Sequence, residues 1–305
     1  MVTFHIFYIA LSLFLLWKGS EWLVESSVKI ANSLGVSQLI IGLTVVAVGT
    51  SAPEFVVTIG AAIKGQSNIS ISNVIGSNIF NLGFILGGIA IVRSIQSSKE
   101  LIWRDGMVLI CATIGVLIFL WDLQFTRIEG LILLIGLVCY NLFLILRKKK
   151  IDVEVHLSRL KLFDGFILIF SIGLVILGGY FLREGAVGIA RTIGISEWVI
   201  GATVVAAGTS APEFAASLVA SLKGQHGISI GNIIGSCIYN YLGVLGLAGL
   251  LRPMRVSVNV QSSILMLIGL VILVLIMLRT GRMLSRKEGI LLLAVSIVIW
   301  IIEFI

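Results

Sequence analysis

Apolar residues along this chain fall in long blocks, and the polar residues between them cluster rather than alternate. Ten blocks are long enough to cross about 30 Å of hydrocarbon as helices. Their approximate limits are 4–23, 38–62, 69–91, 103–121, 128–146, 162–182, 197–221, 228–250, 259–278 and 288–305. Lipid offers no partner for backbone polar groups, and the blocks lack the alternation of a barrel strand, so each is predicted to be a helix. The pattern predicts an all-α polytopic membrane protein with ten transmembrane helices.

The blocks repeat. Ile41–Phe55 and Ile200–Phe214 nearly coincide, and the offset of 159 residues holds without a gap through Asn81 and Asn240. Of the 41 pairs so aligned, 26 are identical. Weaker matches extend outward, among them Gly35 with Gly194, Ser37 with Ser196 and Arg93 with Arg252. The chain therefore divides into residues 1–150, with a first motif at 41–81, and residues 151–305, with a second at 200–240. Five spans in each half is an odd number, which places the halves in opposite orientations across the membrane. Two inverted five-helix repeats are thus expected to form one transport domain with its site near the bilayer midplane. One chain then builds a whole site, so a monomer is expected to suffice.

Composition narrows the class. The 305 residues are 58% hydrophobic and 12% charged, and the mean hydropathy is +1.12. A sizeable soluble domain is excluded, because the longest polar stretch, Arg147 to Lys161, spans only 15 residues. The first block lacks a basic start and an A-x-A site, so it reads as a retained helix rather than a signal peptide. The net charge of +7 requires no nucleic acid. Placing the loops after spans five and nine inside puts fifteen of the 22 Lys and Arg residues on the cytoplasmic side of a cell membrane, with both termini outside. Trp17, Trp22, Trp103, Trp121 and Trp198 fall near span ends, as an aromatic belt would. Cys111, Cys139 and Cys237 lie in apolar segments without ligand spacing and read as buried thiols.

The chemistry centres on Gly49-Thr50-Ser51-Ala52-Pro53-Glu54 and its copy Gly208-Thr209-Ser210-Ala211-Pro212-Glu213. A carboxylate at bilayer depth costs several kcal/mol, which makes each glutamate a candidate functional residue. Proline removes a helical donor and glycine relaxes the backbone, so the helix should break beside the carboxylate and release carbonyls such as those of Ala47 and Thr50. Ala206 and Thr209 are their copies. Hard cations are bound by carbonyls, hydroxyls and carboxylates together. The next helix of each half adds Asn73, Ser77 and Asn81, matched by Asn232, Ser236 and Asn240. Ser77 and Asn81 are four residues apart and share a helix face. Small residues alone could be a packing kink, and serines and asparagines alone could be interhelical glue. Neither reading accounts for two glutamates in motif helices that carry no lysine or arginine mid-span.

The paired G-T-S-A-P-E and N-x-[IV]-G-S-x-[IV]-x-N motifs resemble the two alpha repeats of sodium/calcium exchangers, within the calcium/cation antiporter superfamily; the length and ten-helix plan are similar to its archaeal and bacterial members. The resemblance implies four ion sites arranged as a diamond around the two glutamates. Glu54 and Glu213 would ligate calcium with the carbonyls of Thr50 and Thr209. Ala47, Thr50, Ser51, Glu54 and Ser236 would serve sodium, as would Ala206, Thr209, Ser210, Glu213 and Ser77. Asn81 and Asn240 would flank the centre. Helices one and six would slide against the other eight. Well-known members carry an aspartate at one central position, whereas both are asparagine here.

The expected function is an antiporter exchanging sodium for calcium by alternating access, with about three sodiums per calcium. It needs no cofactor beyond the transported ions and the lipid bilayer. A proton/calcium or potassium-dependent exchanger on the same fold remains the alternative, since burial can raise a carboxylate pKa enough for proton coupling. A passive cation channel fits an inverted duplication less well. An intramembrane enzyme lacks a nucleophile with its base or a metal cluster in the motif helices.

Overall fold

The computed structural model describes residues 2–146, 162–194 and 206–304. The basic segment 147–161, the motif residues 200–205 and Trp198 lie outside the described residues. Seven described helices are long and apolar enough to cross a membrane: Thr3–Leu34, Ser67–Val92, Leu101–Phe119, Arg127–Leu146, Leu162–Thr192, His226–Leu251 and Asn259–Arg279. Gln38–Thr50 and Ala52–Ile63, bent by 50° at their junction, together make an eighth. The described part of predicted span 288–305 falls in the 19-residue helix Arg286–Phe304. The described part of predicted span 197–221 comprises Ala206–Thr209 and Ala211–Leu222.

The chain forms two compact units, each drawing on both sequence halves: Met1–Pro53 with Lys149–Asn232, and Glu54–Lys148 with Ile233–Ile305. In the first unit two helices overrun their predicted spans, Val2–Leu34 reaching 33 residues and Leu162–Thr192 reaching 31. Charged residues such as Glu25 and Lys29 end the apolar block in the sequence. In the structure both are exposed, while Val24, Ile30 and Ala31 continue the buried face, so the helix runs on as an amphipathic one. The two long helices meet through glycine notches. A Cβ on Gly19 would stand 2.8 Å from Val175, one on Gly178 2.9 Å from Leu16, and one on Gly185 2.8 Å from Ile9. Small residues bring membrane helices into such close contact. Ala211, Ala216, Val219 and Ala220 of Ala211–Leu222 complete the same apolar cluster. Gly42 and Gly231 form a further notch, where an added Cβ would lie 2.8 Å from the carbonyl oxygens of Ile228 and Leu39 respectively.

The second unit shows a reciprocity. Two short strand pairs tie its helix ends: Ile95–Gln96 with Met283–Leu284, and Gln124–Phe125 with Met254–Arg255. Adding the 159-residue offset to the first-half member of either pair gives the second-half member of the other. Glycine contacts obey the same rule. Gly87 meets Gly289 backbone to backbone, Gly130 meets Gly246, and these four are again two counterpart pairs exchanged. Helices Arg127–Leu146 and Arg286–Phe304 begin alike: Glu129 accepts from the Thr126 N–H at 2.6 Å, and Glu288 from the Ser285 N–H at 2.7 Å. Both are capping boxes that satisfy otherwise orphaned donors.

The cysteines depart from expectation. Cys237 is buried, but Cys111 and Cys139 are exposed. An apolar stretch of a membrane helix is apolar toward lipid as well as toward protein, so hydropathy alone does not bury a side chain. Trp17, Trp22, Trp103 and Trp121 are exposed, as a belt requires.

Gly42→Ala is expected to cost about 1–3 kcal/mol, because the new methyl meets backbone that must shift. Gly60→Ala, in a helix with nothing within 4 Å of an added Cβ, should be neutral or stabilising by about 0.5–1 kcal/mol. Melting temperatures of the two purified variants in detergent check the contrast.

Candidate cation site

The first motif helix stops at Thr50. Ser51 takes φ −78° and ψ 5°, and a new helix runs from Ala52 to Ile63. Those dihedrals lie in the sparsely populated bridge region. The second motif repeats the break: Ser210 has φ −89° and ψ 7°, and Pro212 sits in the first turn of Ala211–Leu222. Proline lacks the N–H that would continue the preceding helix, and its fixed φ suits the start of the next. Each glutamate thereby falls in the first turn of its new helix. A carboxylate is favoured there, where backbone N–H groups point outward. Glu54 and Glu213 are both 0% exposed.

Within the first unit the break places side chains from both halves together. The Ser51 hydroxyl donates to Glu213 Oε1 at 2.8 Å. The Thr50 hydroxyl lies 3.0 Å from Asn232 Oδ1 and 3.4 Å from the Ala47 carbonyl. The Ala47 carbonyl also accepts from the Ser51 N–H at 3.0 Å, so it is not released as the sequence suggested. The proline removes the donor to the carbonyl four residues earlier, which is that of Gly49. Thr50, Ser51, Thr209 and Ser210 are all buried, and Ala206 opens the short helix before the second break.

Asn232 is the residue that sequence reasoning undervalued. Its Nδ2 donates to the Ser217 hydroxyl at 2.9 Å and to the Glu213 backbone carbonyl at 3.4 Å, while its Oδ1 faces Thr50. It fastens the hydroxyl of one motif to the backbone beneath the carboxylate of the other. The signal was present in its pairing with Asn73 across the repeat.

In the second unit Asn73 Nδ2 donates to the Thr58 hydroxyl at 2.9 Å, and Ser70 donates to the Thr58 carbonyl at 3.0 Å. These two contacts reproduce Asn232 on Ser217 and Ser229 on the Ser217 carbonyl, at the equivalent positions of the other unit. Ser77, Asn81, Ser236 and Asn240 are buried in helices Ser67–Val92 and His226–Leu251. Asn81 lies in the π-helical turn Phe80–Ile85, and Asn240 opens its counterpart, Asn240–Leu245. Such turns shift the side-chain register of a helix locally and recur at functional sites. Among the described residues no three His, Cys, Asp or Glu side chains are grouped as a metal cluster. What the motifs offer instead is oxygen, which suits a hard cation.

Asn232→Ala should destabilise the fold by about 1–3 kcal/mol, since it strands buried partners at Thr50 and Ser217. Ser221→Ala, which removes a buried hydroxyl with no hydrogen-bond partner among the described residues, should be neutral or stabilising. Thermal unfolding in detergent discriminates the two.

Residues 4–146 and 164–304 match the family model described as sodium/calcium exchanger protein. The sodium/calcium exchanger MaX1 of Methanosarcina acetivorans is 29% identical, covering 100% of this chain and 99% of its own length. A membrane protein of Methanocaldococcus jannaschii is 34% identical over 98% of this chain and 97% of its own. The structure of the sodium-calcium exchanger NCX_Mj soaked with 10 mM Na+ and zero Ca2+ superposes with a TM-score of 0.86, at 33% identity and with 98% of each chain covered.

Proposed function

Because this chain belongs to the sodium/calcium exchanger protein family, we propose that it exchanges sodium for calcium by alternating access, moving about three sodium ions per calcium. The observation that carries the reading is the burial of two glutamates, each beside a repeated helix break with its own hydroxyls. A buried ionised carboxylate requires a compensating cation, and here the cation is the cargo. The proposed ligands are Glu54, Glu213, Thr50, Thr209, Ser51, Ser210, Ser77, Ser236, Ala47 and Ala206, with Asn81 and Asn240 lining the centre. Calcium takes six to eight oxygens at about 2.3–2.6 Å, and two carboxylates with carbonyls and a water or two supply that number. Magnesium, which demands a tight octahedron and dehydrates reluctantly, should be a poor substrate.

The charge count sets the voltage dependence. With neutral asparagines at 81 and 240, two ionised glutamates leave the site at −2. One calcium brings it to zero and three sodiums to +1, so each exchange cycle moves one net positive charge. The reciprocal strand and glycine pairs of the second unit support two inverted five-helix repeats within one ten-helix chain. On that plan a monomer suffices and both termini lie outside.

Calcium uptake into proteoliposomes loaded with sodium, with the membrane potential clamped at two values, tests the proposal. Uptake should require internal sodium and change with voltage. Glu54→Gln and Glu213→Gln should each abolish it while the protein still folds. Uptake driven by a proton gradient and indifferent to sodium would instead establish the proton-coupled alternative, and flux independent of any counter-ion would establish a channel.

A further inference from the structure

The two motifs differ at one position that changes how a central asparagine is held. Under the repeat offset Asn78 corresponds to Cys237, exchanging a carboxamide for a thiol, and the Ser77-Asn81 and Ser236-Asn240 segments differ besides only at Phe80 and Tyr239. Asn78 is fully buried, and its Nδ2 donates to the Cys237 backbone carbonyl at 3.3 Å. A carbonyl only accepts, so this contact fixes which end of the Asn78 amide faces it. Asn78 Oδ1 is then the atom presented to Asn240, and it accepts from Asn240 Nδ2 at 3.0 Å. That bond in turn directs Asn240's own oxygen away from Asn78. Asn240 Oδ1 is buried and makes no hydrogen bond among the described residues.

Asn81, the counterpart of Asn240, is held differently. Both polar atoms of its amide are buried without a hydrogen-bond partner among the described residues. The position that would play the part of Asn78 toward it carries Cys237, whose thiol is only a weak donor and acceptor. The strands and glycines of this unit exchange counterparts faithfully, and here the exchange fails.

We propose that Asn78 is a positioning residue: by holding the amide nitrogen of Asn240 it turns the Asn240 oxygen toward the transported cation. The inference rests on the reading of Asn240 as a residue that lines the ion site. The two central asparagines therefore contribute unequally, Asn240 as an oriented oxygen and Asn81 as a loose one. Orientation before binding improves affinity by removing an ordering cost that the ion would otherwise meet.

A mutant cycle on calcium uptake in sodium-loaded proteoliposomes tests this. Asn78→Cys installs the residue that its counterpart already carries. It should raise the KM for calcium about five- to tenfold, the scale of one buried hydrogen bond, with maximal rate within about twofold of the parent. Asn240→Ala should raise KM at least as much, and the double variant should match Asn240→Ala alone, because Asn78 acts through Asn240. A purely structural role would lower the melting temperature and the active fraction but leave KM unmoved. An unchanged KM in Asn78→Cys, or effects that multiply in the double variant, would overturn the proposal.

Cys237→Asn probes the same idea without touching Asn78, should that variant fail to fold. It gives Asn81 the missing partner, so Asn81→Ala should cost more calcium affinity in that background than in the parent chain; equal costs overturn the proposal. A parent chain that moves no calcium removes the exchanger reading and this one together. A parent that does, combined with multiplying effects, removes this one alone.

Discussion

A carboxylate sealed from water must be solvated by the chain around it, and the motif helices are built around that requirement. Glu213 receives the Ser51 hydroxyl, and Asn232 anchors its backbone carbonyl to Thr50 and Ser217. The Ser51 contact falls at the break itself, where Ser51 leaves helical geometry. An unbroken helix would keep the serine and threonine hydroxyls occupied with its own carbonyls four residues back, as Thr44 is with Ile40. The proline makes the break, the glutamate takes the new helix's first turn, and the hydroxyl is released to reach across the repeat.

Repetition governs the packing as well. The glycines at 87, 130, 246 and 289, the strands at 95–96, 124–125, 254–255 and 283–284, and the capping boxes at Thr126 and Ser285 are one set of devices used twice. Wherever two residues of opposite halves meet in these pairs, their two counterparts meet as well. A substitution fixed in one half therefore alters one side of one contact and leaves its twin unchanged. Cys237 opposite Asn78 is such a case.

Much of this was legible in the sequence because the informative signals were local. Hydropathy located the described spans, and Pro53 and Pro212 located both breaks within two residues. The duplication singles out the two glutamates that the fold buries. What escaped the sequence depended on neighbours. The long helices Val2–Leu34 and Leu162–Thr192 continue past their apolar blocks because of what packs against one face, which hydropathy averages away. Cys111 and Cys139 face outward for the same reason. The Ala47 carbonyl keeps its partners because the break falls at Ser51, and a motif spelled in letters does not say which carbonyl a proline deprives. Asn232 drew too little weight because an asparagine in a span reads equally well as glue.

The reciprocal strand pairs also set an order of events. Ile95 cannot meet Leu284, nor Gly87 meet Gly289, until the second half has been made. Until then Gly87, Gly130 and the strands at 95–96 and 124–125 lack the partners they have in the fold. Contacts so distant along the chain close slowly. For this protein the late partner is always its own second half, so synthesis itself is the timer that decides when the nascent bundle can lock.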